Sequence, residues 1–113
     1  MLRWSSMVAA TLLACGTAWA DPIEGKWKTQ NGETATVTSC GDDFCITMTT
    51  GRHAGKQVGK VTGGGDGNYS GFITDLDENE TYQGSARLSG NTARLSGCVL
   101  GGLICTSQDW TKL

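Results

Sequence analysis

The fold is decided by a stretch near the end of the chain that reads TARLSGCVLGGLICTSQDW, residues 92–110. Both halves alternate apolar and polar side chains, and a Gly-Gly pair separates them. Such alternation is typical of a half-buried β-strand, and Gly-Gly suits the positive φ angles of a tight hairpin turn. The stretch therefore predicts antiparallel strands over residues 92–100 and 103–112, joined by a two-residue turn at Gly101-Gly102 that pairs Leu100 with Leu103.

The period of two along these strands assigns their faces. Cys98 and Cys105 fall on one face, which we predict to be the outer one. The opposite face is predicted to be interior, together with the apolar positions of the earlier strands; this interior set is Trp27, Val37, Ile46, Met48, Leu95, Val99, Ile104, Thr106, Gln108 and Trp110. Because small barrels are filled by their own side chains, we expect any cavity to be narrow.

Further short strand patterns occupy the chain before this hairpin, and no segment shows sustained helical periodicity. We predict strands over residues 26–29, 34–38, 44–50, 57–62, 69–75 and 81–89, with a flexible loop over residues 63–68. Turn signals such as Asn31-Gly32 separate the strands. About eight short strands joined by tight turns predict an all-β fold, a small antiparallel up-and-down β-barrel whose closure removes exposed sheet edges.

Four of the five cysteines lie beyond the first twenty residues, and an even number in an exported chain indicates disulfides. Three pairings are open. We favour Cys40–Cys45 and Cys98–Cys105, because a turn at Asp42-Asp43 places the first pair opposite each other and the Gly-Gly turn does so for the second. A zinc site would use the same cysteines, but their C-x4-C and C-x6-C spacings do not fit one, so we expect no metal.

The first twenty residues predict export. Arg3 precedes an apolar run over residues 7–14, and Ala18-Trp19-Ala20 fits the small-x-small cleavage rule. We therefore expect a signal peptide over residues 1–20, a single domain over residues 21–113, and a periplasmic or secreted protein without a transmembrane span. A competing hypothesis takes residues 12–15, which end in Cys15, as a lipoprotein box, with the protein anchored through that cysteine.

Two short motifs resemble those of lipocalins and the wider calycin group. Gly25-Lys26-Trp27 resembles the family's G-x-W motif, and Trp110-Thr111-Lys112 resembles its closing strand, where a basic residue packs on the first-strand Trp. The resemblance implies a lipocalin-like barrel in which Lys112 lies over Trp27 as a cation–π pair.

The chain is more closely similar to domain-of-unknown-function family number 2147, small exported proteins with a lipocalin-like barrel. The similarity is carried by CGDDFC at residues 40–45, GFITD at 71–75, YQG at 82–84, GCVL at 97–100 and CTSQDWT at 105–111. Asn79 stands where the family commonly has a turn glycine, and Asn tolerates the same left-handed conformation. The resemblance implies a fold and a compartment but no established activity.

Composition and motifs argue against several classes of function. The formal net charge of -2 offers no basic stripe for nucleic acid. His53 is the single histidine, it lies in a glycine-flanked loop, and no nucleophile motif accompanies it, so we expect no enzyme and no cofactor. Residues 75–80 begin like a calcium loop, but Glu80 replaces the required glycine and Ala86 the final glutamate. We interpret this run as an acidic hairpin tip.

The remaining function is binding, because barrel mouths are recurrent small-molecule sites. We expect a small apolar ligand in the barrel mouth, with the candidate lining residues Trp27, Met48, Tyr82, Thr106, Gln108 and Trp110. The alternative is a protein-interaction or envelope-maintenance module, for example one resembling a lysozyme inhibitor, with a filled core, no ligand and an envelope protein as partner.

Overall fold

The computed structural model describes residues 21–113, so the predicted signal peptide and Cys15 lie outside the described residues. Eight antiparallel strands follow one another around a closed barrel in chain order. The strands are β1 (Gly25–Lys28), β2 (Thr34–Cys40), β3 (Asp43–Met48), β4 (Gln57–Gly65), β5 (Asn68–Asp75), β6 (Glu80–Ser89), β7 (Thr92–Val99) and β8 (Ile104–Lys112). The predicted all-β up-and-down barrel is confirmed.

Disulfides join Cys40 to Cys45 and Cys98 to Cys105, the pairing that the sequence favoured. The register of the first hairpin differs from the prediction. Cys40 pairs with Asp43, and Cys45 stands opposite Thr38, so the turn is Gly41-Asp42 and the two cysteines are diagonal neighbours on the outer face. Diagonal positions on one face are still close enough for a disulfide, and the Cα atoms lie 5.9 Å apart.

The last hairpin keeps the predicted register but not the predicted turn. Cys98 pairs with Cys105 and Val99 with Ile104. Beyond them the chain forms a single 3₁₀ turn over Leu100–Gly102, so Leu100 and Leu103 do not pair. Gly101 and Gly102 both take positive φ, at 67° and 96°, which is the conformational freedom that the Gly-Gly pair was expected to supply.

The glycine-rich segment over residues 63–68 was predicted to be a loop, and this was wrong. Strand β4 continues to Gly65, the turn is Asp66-Gly67, and β5 begins at Asn68. The register shifts between Gly63 and Gly65, which marks a β-bulge. Glycine is common at bulges because it accepts the local backbone distortion, so its abundance here reflects a bent strand rather than a loop.

One end of the barrel, the base, is closed by the apolar core. The buried apolar residues are Ile23, Trp27, Ala35, Val37, Ile46, Val58, Val61, Tyr69, Ala86, Ala93, Leu95 and Trp110. Residues 21–24 pass across this end, where Ile23 is buried and its carbonyl accepts a 2.8 Å hydrogen bond from the Trp27 indole Nε1. The Tyr69 hydroxyl donates to Asp21 on the same segment. The base is therefore closed by apolar packing and by hydrogen bonds that join Trp27 of β1 and Tyr69 of β5 to the leading segment, residues 21–24.

The opposite end is wider because β1 is short. Its four residues pair with β8 only through Trp27 with Lys112 and Lys28 with Thr111. Residues Ile104 to Asp109 of β8 consequently have no strand on their second side within the described chain. Ile104, Thr106 and Gln108 occupy inward positions of the alternation, as predicted, but they are exposed rather than buried, with 55% of Ile104 accessible.

A row of glycines crosses the inner face of the sheet. Gly71, Gly84 and Gly97 are cross-strand partners of one another on β5, β6 and β7. A Cβ atom on Gly84 would lie 2.7 Å from Ile73 Cδ1, and one on Gly97 would lie 2.8 Å from Tyr82 Cβ. The missing side chains therefore leave the space in which Ile73 and Tyr82 lie against the sheet.

We predict that Gly97→Ala lowers the free energy of unfolding by about 1–3 kcal/mol, because the new methyl group overlaps Tyr82 in a packed wall. Urea denaturation measures the change. Gly64→Ala is the matched control, since its Cβ would meet only Asn68 O at an ordinary 3.5 Å. Equal stabilities for the two variants would contradict the packing role of Gly97.

Candidate ligand cavity

An open cavity of about 440 Å³ occupies the wide end of the barrel. The loops that follow β1, β3 and β5 all contribute to its mouth, through Asn31, His53 and residues 76–78. Its volume lies within the range of small-molecule pockets, roughly 300–1,000 Å³. The expectation of a narrow cavity was therefore wrong, and the reason is the short β1, which leaves the upper half of β8 without a neighbour.

The cavity wall combines apolar and polar side chains. Apolar and aromatic side chains form much of the wall, namely Met48, Val58, Ile73, Leu76, Tyr82, Leu95 and Trp110. Hydroxyl and amide groups from β8 and the first loop lie beside them, including those of Thr106, Gln108 and Asn31. Such a mixture offers apolar burial together with a few polar groups that can orient a ligand.

Five of the six candidate lining residues border this cavity: Met48, Tyr82, Thr106, Gln108 and Trp110. Trp27 does not border it. It is almost fully buried in the base of the barrel, where its role is packing. Within the wall, the Trp110 indole Nε1 donates a 2.7 Å hydrogen bond to Gln108 Oε1, which orients that amide.

Lys112 and Trp27 form the contact that the lipocalin resemblance implied. The Lys112 Nζ lies 4.9 Å from the centroid of the Trp27 ring and donates hydrogen bonds of 2.7 and 2.6 Å to the carbonyls of Pro22 and Glu24. Gly25 has a φ of 126°, and a Cβ there would lie 3.1 Å from Lys112 Cε. The glycine of the G-x-W motif therefore leaves room for the lysine stem.

At the mouth, a charged cluster joins the β3–β4 loop to the β5–β6 loop. His53 Nε2 lies 2.8 Å from Asp77 Oδ1, and the Arg52 guanidinium donates to the same oxygen at 2.5 Å. The hydrogen bond from His53, followed by that from Arg52, holds the pKa of the Asp77 carboxyl below its ordinary value. His53 itself is largely shielded, with 26% of its side chain exposed. It is thus a mouth residue tied to Asp77, and not a free loop histidine.

The acidic tip of the β5–β6 hairpin forms another part of the mouth. Asp75 Oδ1 accepts hydrogen bonds from the backbone N–H groups of Asp77 and Glu78, at 2.9 and 3.2 Å, and Asn79 takes the expected left-handed φ of 55°. Burial, and then the charges of Glu78, Glu80 and Asp75, raise the pKa of Tyr82 above its ordinary value. The carboxylates therefore act electrostatically on a residue of the cavity wall.

Several wall residues were not identified from the sequence. Val58 falls at the register shift between β3 and β4, where simple alternation fails, and Ile73 and Leu76 were not assigned to the mouth. The available signal was the spacing of Gly71, Gly84 and Gly97, since glycine inside a strand marks a place where another group approaches closely.

Two further features are absent from residues 21–113. No group of three or more His, Cys, Asp or Glu side chains is placed to hold a metal ion in this part of the chain. The same residues contain no helix that is long and apolar enough to cross a membrane. Neither finding identifies a ligand, and the cavity remains the feature with the clearest chemical character.

The fold and cavity define a class: a small antiparallel β-barrel with two disulfides on its outer face, closed at the base and open at the other end. The chain belongs to a family described as "Uncharacterized protein conserved in bacteria (DUF2147)", whose model matches residues 55–112, just over half of the sequence. No curated protein and no solved structure matches the chain.

We predict that His53→Ala raises the pKa of Asp77 toward the ordinary aspartate value of about 3.9, and that Arg52→Ala raises it less. A carboxyl whose folded pKa is depressed contributes stability above its unfolded pKa, and this is lost as the pH falls through the folded pKa. Carboxyl-detected NMR titration of Asp77 measures the shift. An unchanged Asp77 titration in both variants would contradict the assigned contacts.

Proposed function

We propose that this protein is a non-catalytic binder of a small, largely apolar ligand, acting in the periplasm or outside the cell after export. The observation that carries the proposal is the open cavity of about 440 Å³ with its apolar wall. A ligand that enters it removes apolar surface of its own and of the wall from water, which is the main favourable term in such binding.

Two properties of the wall support a binding role over a purely structural one. Exposed inner-face positions such as Thr106 and Gln108 do not contribute to a closed core, although they lie on the face that a filled barrel would bury. The sheet beneath them is held by the Cys98–Cys105 disulfide on its outer face. A rigid, partly apolar and open wall is preformed for a ligand, so little ordering would accompany binding.

Export supports the compartment in this proposal. The apolar run and the small-x-small site within residues 1–20 have the pattern of a secretory signal, and disulfides persist in oxidising compartments. Lipidation at Cys15 is the competing form of the same proposal, since it would keep the barrel on the outer side of a membrane.

The test of the proposal uses a variant that fills the cavity. We expect Thr106→Trp to weaken the binding of the uncharged probe N-phenyl-1-naphthylamine at least tenfold, because the indole ring occupies part of the open volume. Probe fluorescence measures the affinity. Gln83→Trp, which adds the same ring to the exposed outer face of β6, is the control.

Binding of N-phenyl-1-naphthylamine with equal affinity to the two variants and to the unaltered protein would contradict the cavity as the binding site. No detectable binding to the unaltered protein by this probe or by a panel of uncharged and cationic lipophiles would contradict the proposed function itself.

A second candidate function, docking of a protein segment, is favoured by the unpaired edge of β8. Asp109 N–H points toward β1 and donates to the Gln30 side chain, whereas Lys112 N–H points toward β7 and donates to Asn91 O. Because backbone groups alternate in direction along an antiparallel strand, the odd-numbered residues of β8 face the gap.

The backbone groups of Cys105 and Ser107 therefore face the gap, where no strand of the described chain pairs with them. Residues 103–108 carry no charged side chain, whereas sheet edges are commonly protected by charge or proline. An extended segment of an envelope protein could add to this edge as an extra strand. In contrast to the filled module expected from the sequence, such a partner could also direct alternate side chains into the cavity.

We predict that Ser107→Pro abolishes strand addition while Ser107→Ala preserves it. Proline at position 107 removes a backbone donor that faces the gap and leaves the bonds of even-numbered residues to β7 intact. An extended peptide with alternating Thr and Leu, compared with its N-methylated analogue by fluorescence anisotropy, measures the difference. Equal binding of this peptide to both variants would contradict the docking role of the edge.

A further inference from the structure

We propose that the cavity selects an amphipathic cation, a ligand whose apolar body lies against the wall and whose positively charged head lies beside the acidic tip of the β5–β6 hairpin. The inference rests on the proposed ligand-binding function and specifies the chemical class of its ligand. Its basis is the distribution of charge around the mouth.

The acidic residues Asp75, Asp77 and Glu78 all border the cavity. Asp77 is already compensated by Arg52 and His53. Asp75 accepts only backbone N–H groups through its Oδ1, and in residues 21–113 no salt bridge joins Asp75 or Glu78 to a basic side chain. Negative charge on this side of the mouth is therefore left uncompensated within the described chain.

Positively charged side chains are scarce at the cavity surface. Among residues 21–113, no lysine or arginine borders the cavity, and His53, the one basic side chain of this range that does, is held by Asp77. A cationic head placed near Glu78 would meet carboxylates without displacing an existing partner. An anionic head at the same place would meet like charges. The site therefore disfavours anionic ligands as well as favouring cationic ones.

Tyr82 is a residue of the cavity wall on which the acidic tip acts. Its ring lies against Gly97 on the inner face, so it belongs to the cavity wall. Desolvation, and then the charges of Glu78, Glu80 and Asp75, raise the pKa of its hydroxyl, so these carboxylates act on a group of the wall. Aromatic faces such as those of Tyr82 and Trp110 also attract cations, so the wall and the tip favour the same charge.

The apolar side of the site sets the second requirement on the ligand. Met48, Ile73, Leu95 and Trp110 contribute hydrocarbon and aromatic surface below the mouth. A small inorganic cation would leave this surface in contact with water. An amine or quaternary ammonium group carrying an alkyl or aromatic body satisfies both regions at once.

The experiment compares three probes with the same ten-carbon tail, all used below their micelle concentrations: decyltrimethylammonium, 1-decanol and decyl sulfate. Isothermal titration calorimetry measures their affinities. We expect the cation to bind at least tenfold more tightly than decyl sulfate, and its affinity to fall with added salt.

Two variants that each remove one carboxylate charge test the position of the head. We expect Glu78→Gln to weaken binding of decyltrimethylammonium roughly two- to fivefold, the range for an exposed ion pair. Asp42→Asn is the matched control, because Asp42 lies in the exposed β2–β3 turn at the base, and it should leave the affinity unchanged. Thr106→Trp should weaken all three probes alike.

The outcomes separate this inference from the function on which it rests. If 1-decanol or decyl sulfate binds as tightly as the cation, or if Glu78→Gln and Asp42→Asn behave alike, charge selection is overturned and ligand binding stands. If none of the three probes binds the unaltered protein, the selection of an amphipathic cation and the proposed function both fail.

Discussion

The seam between β1 and β8 is the constraint on which the rest of the molecule depends. Only Trp27 with Lys112 and Lys28 with Thr111 pair across it, so the seam is closed by strand pairing at the base of the barrel and open along the rest of its length. The same shortage of β1 residues widens the other end and leaves one side of β8 without a strand. Cavity and open edge are therefore two consequences of one short strand.

So short a seam is stabilised by interactions concentrated at its end. Trp27 is 1% exposed, and burying a large aromatic side chain is among the most favourable single contributions to a small core. The Lys112 ammonium group lies over this ring and binds two carbonyls of the leading segment. The lysine thus links β8, β1 and residues 21–24, which explains how two residue pairs can close a barrel.

The sequence specified the parts of this fold that alternation and turn chemistry control. The Gly-Gly pair predicted the direct pairing of Cys98 with Cys105, because a turn at this pair and the alternation of the two flanking strands together fix the register. At Cys40 and Cys45 the same reasoning selected the right disulfide and the wrong turn, since a shift of the turn by one residue keeps both cysteines on the outer face. Disulfide partners are thus more robust to errors of register than the turn itself.

What alternation could not predict was the depth of burial. Period-two reasoning placed Ile104, Thr106 and Gln108 on the inner face correctly, yet an inward position becomes buried only when another part of the chain covers it. For these residues, that cover depends on the length of β1, which lies in a different part of the chain. Likewise, the inner glycines on β6 and β7 carry no hydrophobic signal, although they leave the space in which Ile73 and Tyr82 lie. The fold followed from local pattern, whereas the cavity depended on long-range geometry.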